Sequence, residues 1–184
     1  MSQANVDRRV ERTRNALAAA FVELMLSRGY DDVTVEDVAA RANVGRSTFY
    51  LHFRGREDIL STSLVHPSQL LAALVGKTVT VEQLVPLLVH FREQRRLNRV
   101  LFDQPVRAIW IKCLAKLIEP GLKTMSRRNK PALPLALIAA HIAESQIALV
   151  ARWLSLCPHL EPAPIAEALI ATTRANLLAL LGER

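Results

Sequence analysis

Residues 34–53 read TVEDVAARANVGRSTFYLHF, and the spacing of their apolar side chains decides the fold. Thr34 precedes a helical run and can cap it, and Asp37, three residues on, can reach back to it as in a capping box. Val33 and Val38 then take the two positions of a hydrophobic staple. The same device recurs at Val44, Gly45 and Phe49, with glycine as the cap. Between the two helices stand Ala42, Asn43, Val44 and Gly45, a turn short enough to fix the angle between them. Val35, Val38 and Ala39 face inward on the first helix, and Val44, Phe49 and Phe53 do so around the second. Arg46, Ser47, Thr48 and Leu51 are left projecting outward.

The pattern continues in both directions. Upstream, Leu17, Phe21, Leu24 and Met25 recur at helical spacing, and Gly29 closes that helix. Downstream, a helix starts at Arg56 and is expected to end before Pro67. Leu70 to Val75 predicts a short helix closed by Gly76. Thr80 and Gln83 make a second capping box, with Pro86 either kinking that helix or marking its true start. Asp103 is expected to cap the next helix, with Pro105 in its first turn, and Pro120-Gly121 to break it. The basic stretch SRRNKPALP (126–134) links to two long helices, Leu135–Leu156 and Ile165–Leu181. Alternation of strand type is almost missing, so the fold class is all-α.

The chain has 184 residues, of which 51% are hydrophobic, enough for one core or two small ones. The formal net charge is +7, which favours a polyanionic partner, but the charge is unevenly placed. Residues 1–60 carry nine Arg and nine Asp or Glu and sum to zero, whereas residues 92–130 carry eleven Lys or Arg against three Asp or Glu. Charge alone therefore does not make residues 1–60 a magnet for DNA. No uninterrupted apolar run reaches the roughly 18 residues of a membrane span, and the N-terminus lacks a leader pattern. The expectation is a cytoplasmic protein with no membrane contact. Cys113 and Cys157 lie far apart without metal-ligand spacing, so neither a metal nor a cofactor is expected.

A helix pair of this kind can place its second helix in the major groove. The exposed N-terminal ends of both helices offer N–H groups to phosphate, and Thr34 adds a hydroxyl. Arg46 has the fork to read guanine N7 and O6, and it has equally the charge to grip phosphate. Tyr50 and His52 flank it.

On these residues the first sixty positions resemble the DNA-binding domain of the TetR/AcrR family of bacterial transcriptional regulators. Thr34, Val38, Ala39, Ala42, Val44, Thr48, Phe49, Tyr50, His52, Phe53 and Arg56 stand in register with the family pattern. Asn43 replaces the usual Gly, Gly45 the usual capping Ser, and Ser47 a position that is often Gly. The resemblance implies a three-helix helix-turn-helix domain over 1–55 and a helical effector-binding and dimerisation domain over 56–184. It implies phosphate contacts from Thr34, Tyr50, His52 and Arg56 and a groove-facing set of Arg46, Ser47 and Thr48, with Arg8, Arg9 and Arg12 adding backbone contacts. The partners implied are operator DNA, a small-molecule effector and a second copy of the chain, and the usual outcome is repression relieved by the effector. The two C-terminal helices are apolar around most of their circumference, which asks for cover on more than one side. They are therefore expected to form the homodimer interface over 135–156 and 165–181. Phe91, Phe102, Trp110, Cys113, Leu117 and His141 are the expected effector-binding set. Two other classes remain: a helical protein-interaction module, supported by the neutral N-terminal third, and an enzyme, for which the sequence offers no nucleophile, metal or phosphate-loop pattern and hence no catalytic residue.

Overall fold

The computed structural model describes residues 3–76, 79–126 and 131–182, with side chains from Arg8 onward. Among these residues all regular structure is helical. The chain divides into two units, Met1–Ser63 and Leu64–Arg184. The boundary falls eight residues later than the one expected after residue 55. The helix opened by Arg56 therefore clusters with the N-terminal unit, because it packs against the first helix of that unit.

The N-terminal unit holds four helices, α1 (Gln3–Arg28), α2 (Val35–Arg41), α3 (Arg46–His52) and α4 (Arg56–Ser63). Its core is built from the side chains that the periodicity selects: Leu17, Phe21, Leu24 and Met25 of α1, Val38 and Ala39 of α2, Phe49 of α3, Phe53, and Ile59 and Leu60 of α4. Gly29 ends α1 at φ +90°, a left-handed conformation that favours glycine. The capping box forms as expected. Asp37 N donates to Thr34 Oγ1 at 3.1 Å, and Thr34 N donates to Asp37 Oδ2 at 3.0 Å.

The α2–α3 turn is a Schellman closure. Val44 N donates to Ala39 O at 2.9 Å and Asn43 N to Ala40 O at 3.1 Å, with Asn43 at φ +54°. Asn43 thus does the work of the glycine it replaces, since Asn visits this region more readily than most residues. Gly45, by contrast, has an ordinary φ of −72° and makes no side-chain cap. A Cβ there meets Ser47 Oγ only at 3.7 Å. Gly45→Ser is therefore expected to stabilise the N-terminal unit by about 0.5–1 kcal/mol, through a cap and a less flexible unfolded chain. Urea unfolding of the two proteins checks this.

The C-terminal unit holds α5 (Val65–Ala73), α6 (Val81–Glu93), α7 (Arg95–Leu101), α8 (Val106–Met125), α9 (Leu135–Leu156) and α10 (Pro162–Leu181). Packing of α8 on α9 and on α5, and of α10 on α6 and α9, forms its core. Several expectations need correction here. The helix opened by Arg56 ends at Ser63, before Pro67 as expected, but Pro67 itself sits in the first turn of α5, where a missing N–H costs nothing. That helix starts at Val65 rather than Leu70. Pro86 lies inside α6, which begins at Val81 beside Thr80, so it is not the helix start.

Pro120 does not break α8, which continues to Met125. Its side chain is on the exposed face, where water can serve the carbonyl left without a partner. Gly121 beside it lets α8 approach the α5 end closely, since a Cβ would stand 3.2 Å from both Val75 Cγ1 and Val75 O. Asp103 does not cap α8: its carboxylate accepts from Gln104 N at 2.9 Å, and Pro105 takes the cap position. α10 starts three residues early, at Pro162, because proline suits a first turn. Residues 127–130 of the expected linker lie outside the described residues.

By length and composition alone, α9 and α10 could each cross a membrane, although Glu144 and Arg152 interrupt the first and Glu167 and Arg174 the second. In the fold they are bundle helices, with Gln146 and Thr173 buried between them: Gln146 Nε2 donates to Thr173 Oγ1 at 3.0 Å and to Leu71 O at 3.3 Å.

Candidate nucleic-acid interface

Helix α3 presents one exposed side. Phe49 is fully buried, while Arg46, Ser47, Tyr50 and Leu51 are exposed, and Thr48 and His52 are half-buried. Leu51 is 83% exposed, the most exposed large hydrophobic among the described residues. It stands four residues after Ser47 and three after Thr48, one turn further along the same side. The sequence placed Leu51 outward but gave it no role. Its spacing from Ser47 and Thr48 was the signal that could have added it to the site.

Arg46 is held in a defined place. Its Nη1 lies 2.7 Å from Glu36 Oε1, and its guanidinium carbon lies 5.7 Å from the centroid of the Tyr50 ring. Tyr50 first, and then the Glu36 carboxylate, favour its charged form. The Tyr50 ring in turn meets Phe49 edge-on at 5.5 Å, which ties the exposed aromatic to the core. Sequence reasoning missed Glu36, since its link to Arg46 spans two helices.

A groove runs between α1 and the helix-turn-helix. Arg8, Arg9, Arg12 and Thr13 line one side, and Asn43, Val44, Thr48 and His52 the other. The three arginines expected to add backbone contacts are thus gathered beside two members of the α3 set.

Two expected phosphate contacts are otherwise employed. Arg56 turns inward: its Nη1 lies 3.0 Å from Tyr30 O, 2.9 Å from Asp31 O and 2.9 Å from Val33 O. Its guanidinium also covers the Tyr30 ring at 5.1 Å. Burial pushes the Tyr30 phenol up, and the Arg56 charge pulls it partly back. Arg56 is therefore the clamp of the α1–α2 loop, because that loop leaves three carbonyls converging on one point. Thr34 is exposed, but its hydroxyl donates to Asp37 Oδ2 at 2.7 Å, which commits its proton within the capping box.

The hydrogen bonds from the Thr34 hydroxyl and then from Thr34 N, aided by Arg28, hold the Asp37 carboxyl below its ordinary 3.8. A depressed carboxylate stabilises the fold above its unfolded value, and that contribution is lost as pH falls through the lower folded value. Wild-type protein is therefore expected to lose stability below about pH 4 more steeply than Asp37→Asn. Urea midpoints measured from pH 7 to pH 3 test this; parallel curves for the two proteins would contradict it.

In the C-terminal unit the expected effector residues divide into two groups. Phe91, Phe102 and Trp110 form an aromatic triad with centroids 5.4–5.9 Å apart. Trp110 is fully buried, and its Nε1 donates to Ser68 Oγ at 2.9 Å. Cys113 is half-buried, and it forms no disulfide with Cys157. Leu117 and His141 are exposed and do not join the triad. His141 lies one turn from exposed Leu137, on the side of α9 away from buried Ile138 and Ile142. An apolar pattern around most of a helix hid which stripe faced inward.

The helix-turn-helix with a supporting α1 and an exposed α3 defines the class: a DNA-binding domain joined to a helical domain. Residues 17–62 match the family model for bacterial regulatory proteins of the tetR family. An HTH-type transcriptional regulator of Bacillus subtilis (strain 168), YxbF, is 36% identical over 63 residues, which are 34% of this chain and 17% of that protein. The match thus spans about a sixth of that relative's length. A TetR transcriptional regulator from Streptococcus agalactiae 2603V superposes over 94% of this chain and 99% of its own, with a TM-score of 0.59 and 26% identity. Thermus thermophilus FadR, a TetR-family transcriptional repressor in complex with lauroyl-CoA, shares the fold over 90% of this chain and 95% of its own, at TM-score 0.50 and 22% identity. Residues 17–62 thus carry the sequence of a tetR-family DNA-binding domain, and the rest of the chain shares the fold of the TetR regulators it superposes on.

Proposed function

We propose that the chain is a dimeric repressor that binds operator DNA through α3 and releases it when a small molecule occupies the C-terminal unit. The observation that carries the DNA-binding reading is the exposed set on α3, comprising Arg46, Ser47, Tyr50 and Leu51, anchored on a buried Phe49. His52, Thr48 and the arginines of the adjoining groove supply phosphate contacts, which position the helix while base contacts specify the sequence. A fluorescence-anisotropy titration against the promoter beside its own gene tests the proposal. Salt-sensitive binding that distinguishes this promoter from random duplex is the expected result. Equal binding to both sinks it.

The dimer reading rests on the exposed sides of α9 and α10. Only 39% and 33% of their most apolar windows are buried within one chain. Ala171, Ala175, Leu178 and Ala179 are exposed along α10, as are Leu137 and His141 along α9. Exposed Glu144, Arg152, Glu167 and Arg174 on the same helices argue for a protein partner over lipid. A symmetric pairing of two copies covers these faces.

Effector binding is assigned to the C-terminal unit around Phe91, Phe102 and Trp110, in keeping with a fold that holds lauroyl-CoA in the Thermus protein. The response passes through α4. Arg56, at its start, grips the α1–α2 loop, so α4 and the DNA-binding helices move as one body. A shift of α4 then alters the separation of the two α3 helices in a dimer, and the effector acts by favouring the separation that DNA does not fit. A ligand that binds without changing operator affinity would contradict this step.

A further inference from the structure

Arg46 carries the charge for a phosphate and the fork for a guanine, and its surroundings decide between them. Glu36 Oε1 stands 2.7 Å from Nη1, while Tyr50 lies under the guanidinium plane. Both partners of the ion pair are exposed, at 65% and 55% of their side chains. Such pairs contribute little to stability, so folding does not explain this one. Glu36 sits in the first turn of α2, where the helix N-terminus holds a carboxylate in place.

We infer that Glu36 is a positioning residue that commits Arg46 to reading a guanine edge and bars it from the DNA backbone. The inference rests on the DNA-binding reading above. The guanidinium has donors at Nε, Nη1 and Nη2. With Nη1 turned to Glu36, the Nε–Nη2 edge is the donor pair whose geometry matches the acceptors O6 and N7 of guanine. Tyr50 keeps the plane fixed, so the fork is aimed before DNA arrives. A phosphate at the same place would bring a full negative charge beside the Glu36 carboxylate, and the two repel. Guanine presents neutral acceptors and meets no such penalty. The neutral charge of residues 1–60 fits this scheme: the domain discourages sequence-independent grip and leaves discrimination to aimed side chains. Asp37, the neighbouring acid, is not available for the task, since Thr34 and Arg28 occupy its carboxylate.

The test uses the full-length protein and an operator selected from a random duplex pool. Wild type, Glu36→Gln and Arg46→Ala are titrated against three duplexes across a range of salt: the operator, the operator with 7-deazaguanine at each protected guanine, and random sequence. Loss of guanine N7 is expected to weaken wild type about tenfold at one position and to leave Arg46→Ala unmoved. In Glu36→Gln the 7-deaza penalty shrinks, random duplex binds several-fold tighter, and the salt dependence steepens by about one phosphate contact. Unchanged thermal unfolding of Glu36→Gln separates this from damage to the fold. An unaltered 7-deaza penalty and salt slope in Glu36→Gln overturn the inference, as does an equal loss of affinity for all three duplexes. Wild type that binds random and selected duplexes equally would instead overturn the DNA-binding reading itself.

Discussion

Arg56→Ala is expected to destabilise the N-terminal unit by about 2–3 kcal/mol, lowering its melting temperature by roughly 10–20 °C. The substitution leaves the carbonyls of Tyr30, Asp31 and Val33 without their shared donor and uncovers the Tyr30 ring. Bonds to a charged donor are worth more than neutral ones, and an unserved acceptor at a half-buried place adds its own cost. Arg56→Lys is expected to recover part of the loss, since an ammonium can meet the carbonyls but has no plane to lay on Tyr30. The alternative role, a phosphate contact, predicts a different pair of results: unchanged melting and a salt slope reduced by about one. Calorimetry combined with operator titration at several salt concentrations separates the two. Unchanged melting of Arg56→Ala would remove the clamp and with it the rigid coupling of α4 to the DNA-binding helices.

Arg56 also marks the limit of what could be read from sequence. The beginnings and ends of α2 and α3 were legible because their signals are local: Thr34 with Asp37, Val33 with Val38, and the turn ending at Gly45. Each is a contact between residues a few positions apart. Whether a helix-opening arginine turns to DNA or to a loop 26 residues upstream depends on tertiary packing that no local pattern encodes. The Glu36–Arg46 pair is of the same kind.

Pro120 shows another limit. In sequence a proline reads as a breaker, but on an exposed helix face water can reach the freed carbonyl. Asp103 was read as a cap, and the choice between capping α8 and holding Gln104 N is settled by the course of the chain. In the C-terminal unit the aromatic triad followed from residue type. His141 stands on the exposed side of α9, and a helix apolar nearly all round does not announce its inner stripe.

The exposed stripe on α10 carries the second large effect. Ala171, Ala175 and Leu178 recur at the i, i+4, i+7 spacing of one face, and all three are exposed in a single chain. Small residues on such a stripe let a partner helix approach closely, so one carboxylate placed there would be buried without a partner. Ala175→Glu is therefore expected to give a monomer. Neither end of the substitution disturbs the core of one chain, because Ala175 faces away from buried Thr173 and Leu177. Separating the copies removes the linkage between two α3 helices. A bivalent contact gains about 10²–10⁴ in affinity from such linkage, so operator binding should fall by that order. Light scattering after gel filtration gives the mass, circular dichroism shows that the helices persist, and anisotropy gives the affinity. If the copies cannot fold apart, helicity will fall with dilution, which also places the interface on α10. A variant that stays dimeric and binds its operator as wild type does would move the interface off this face.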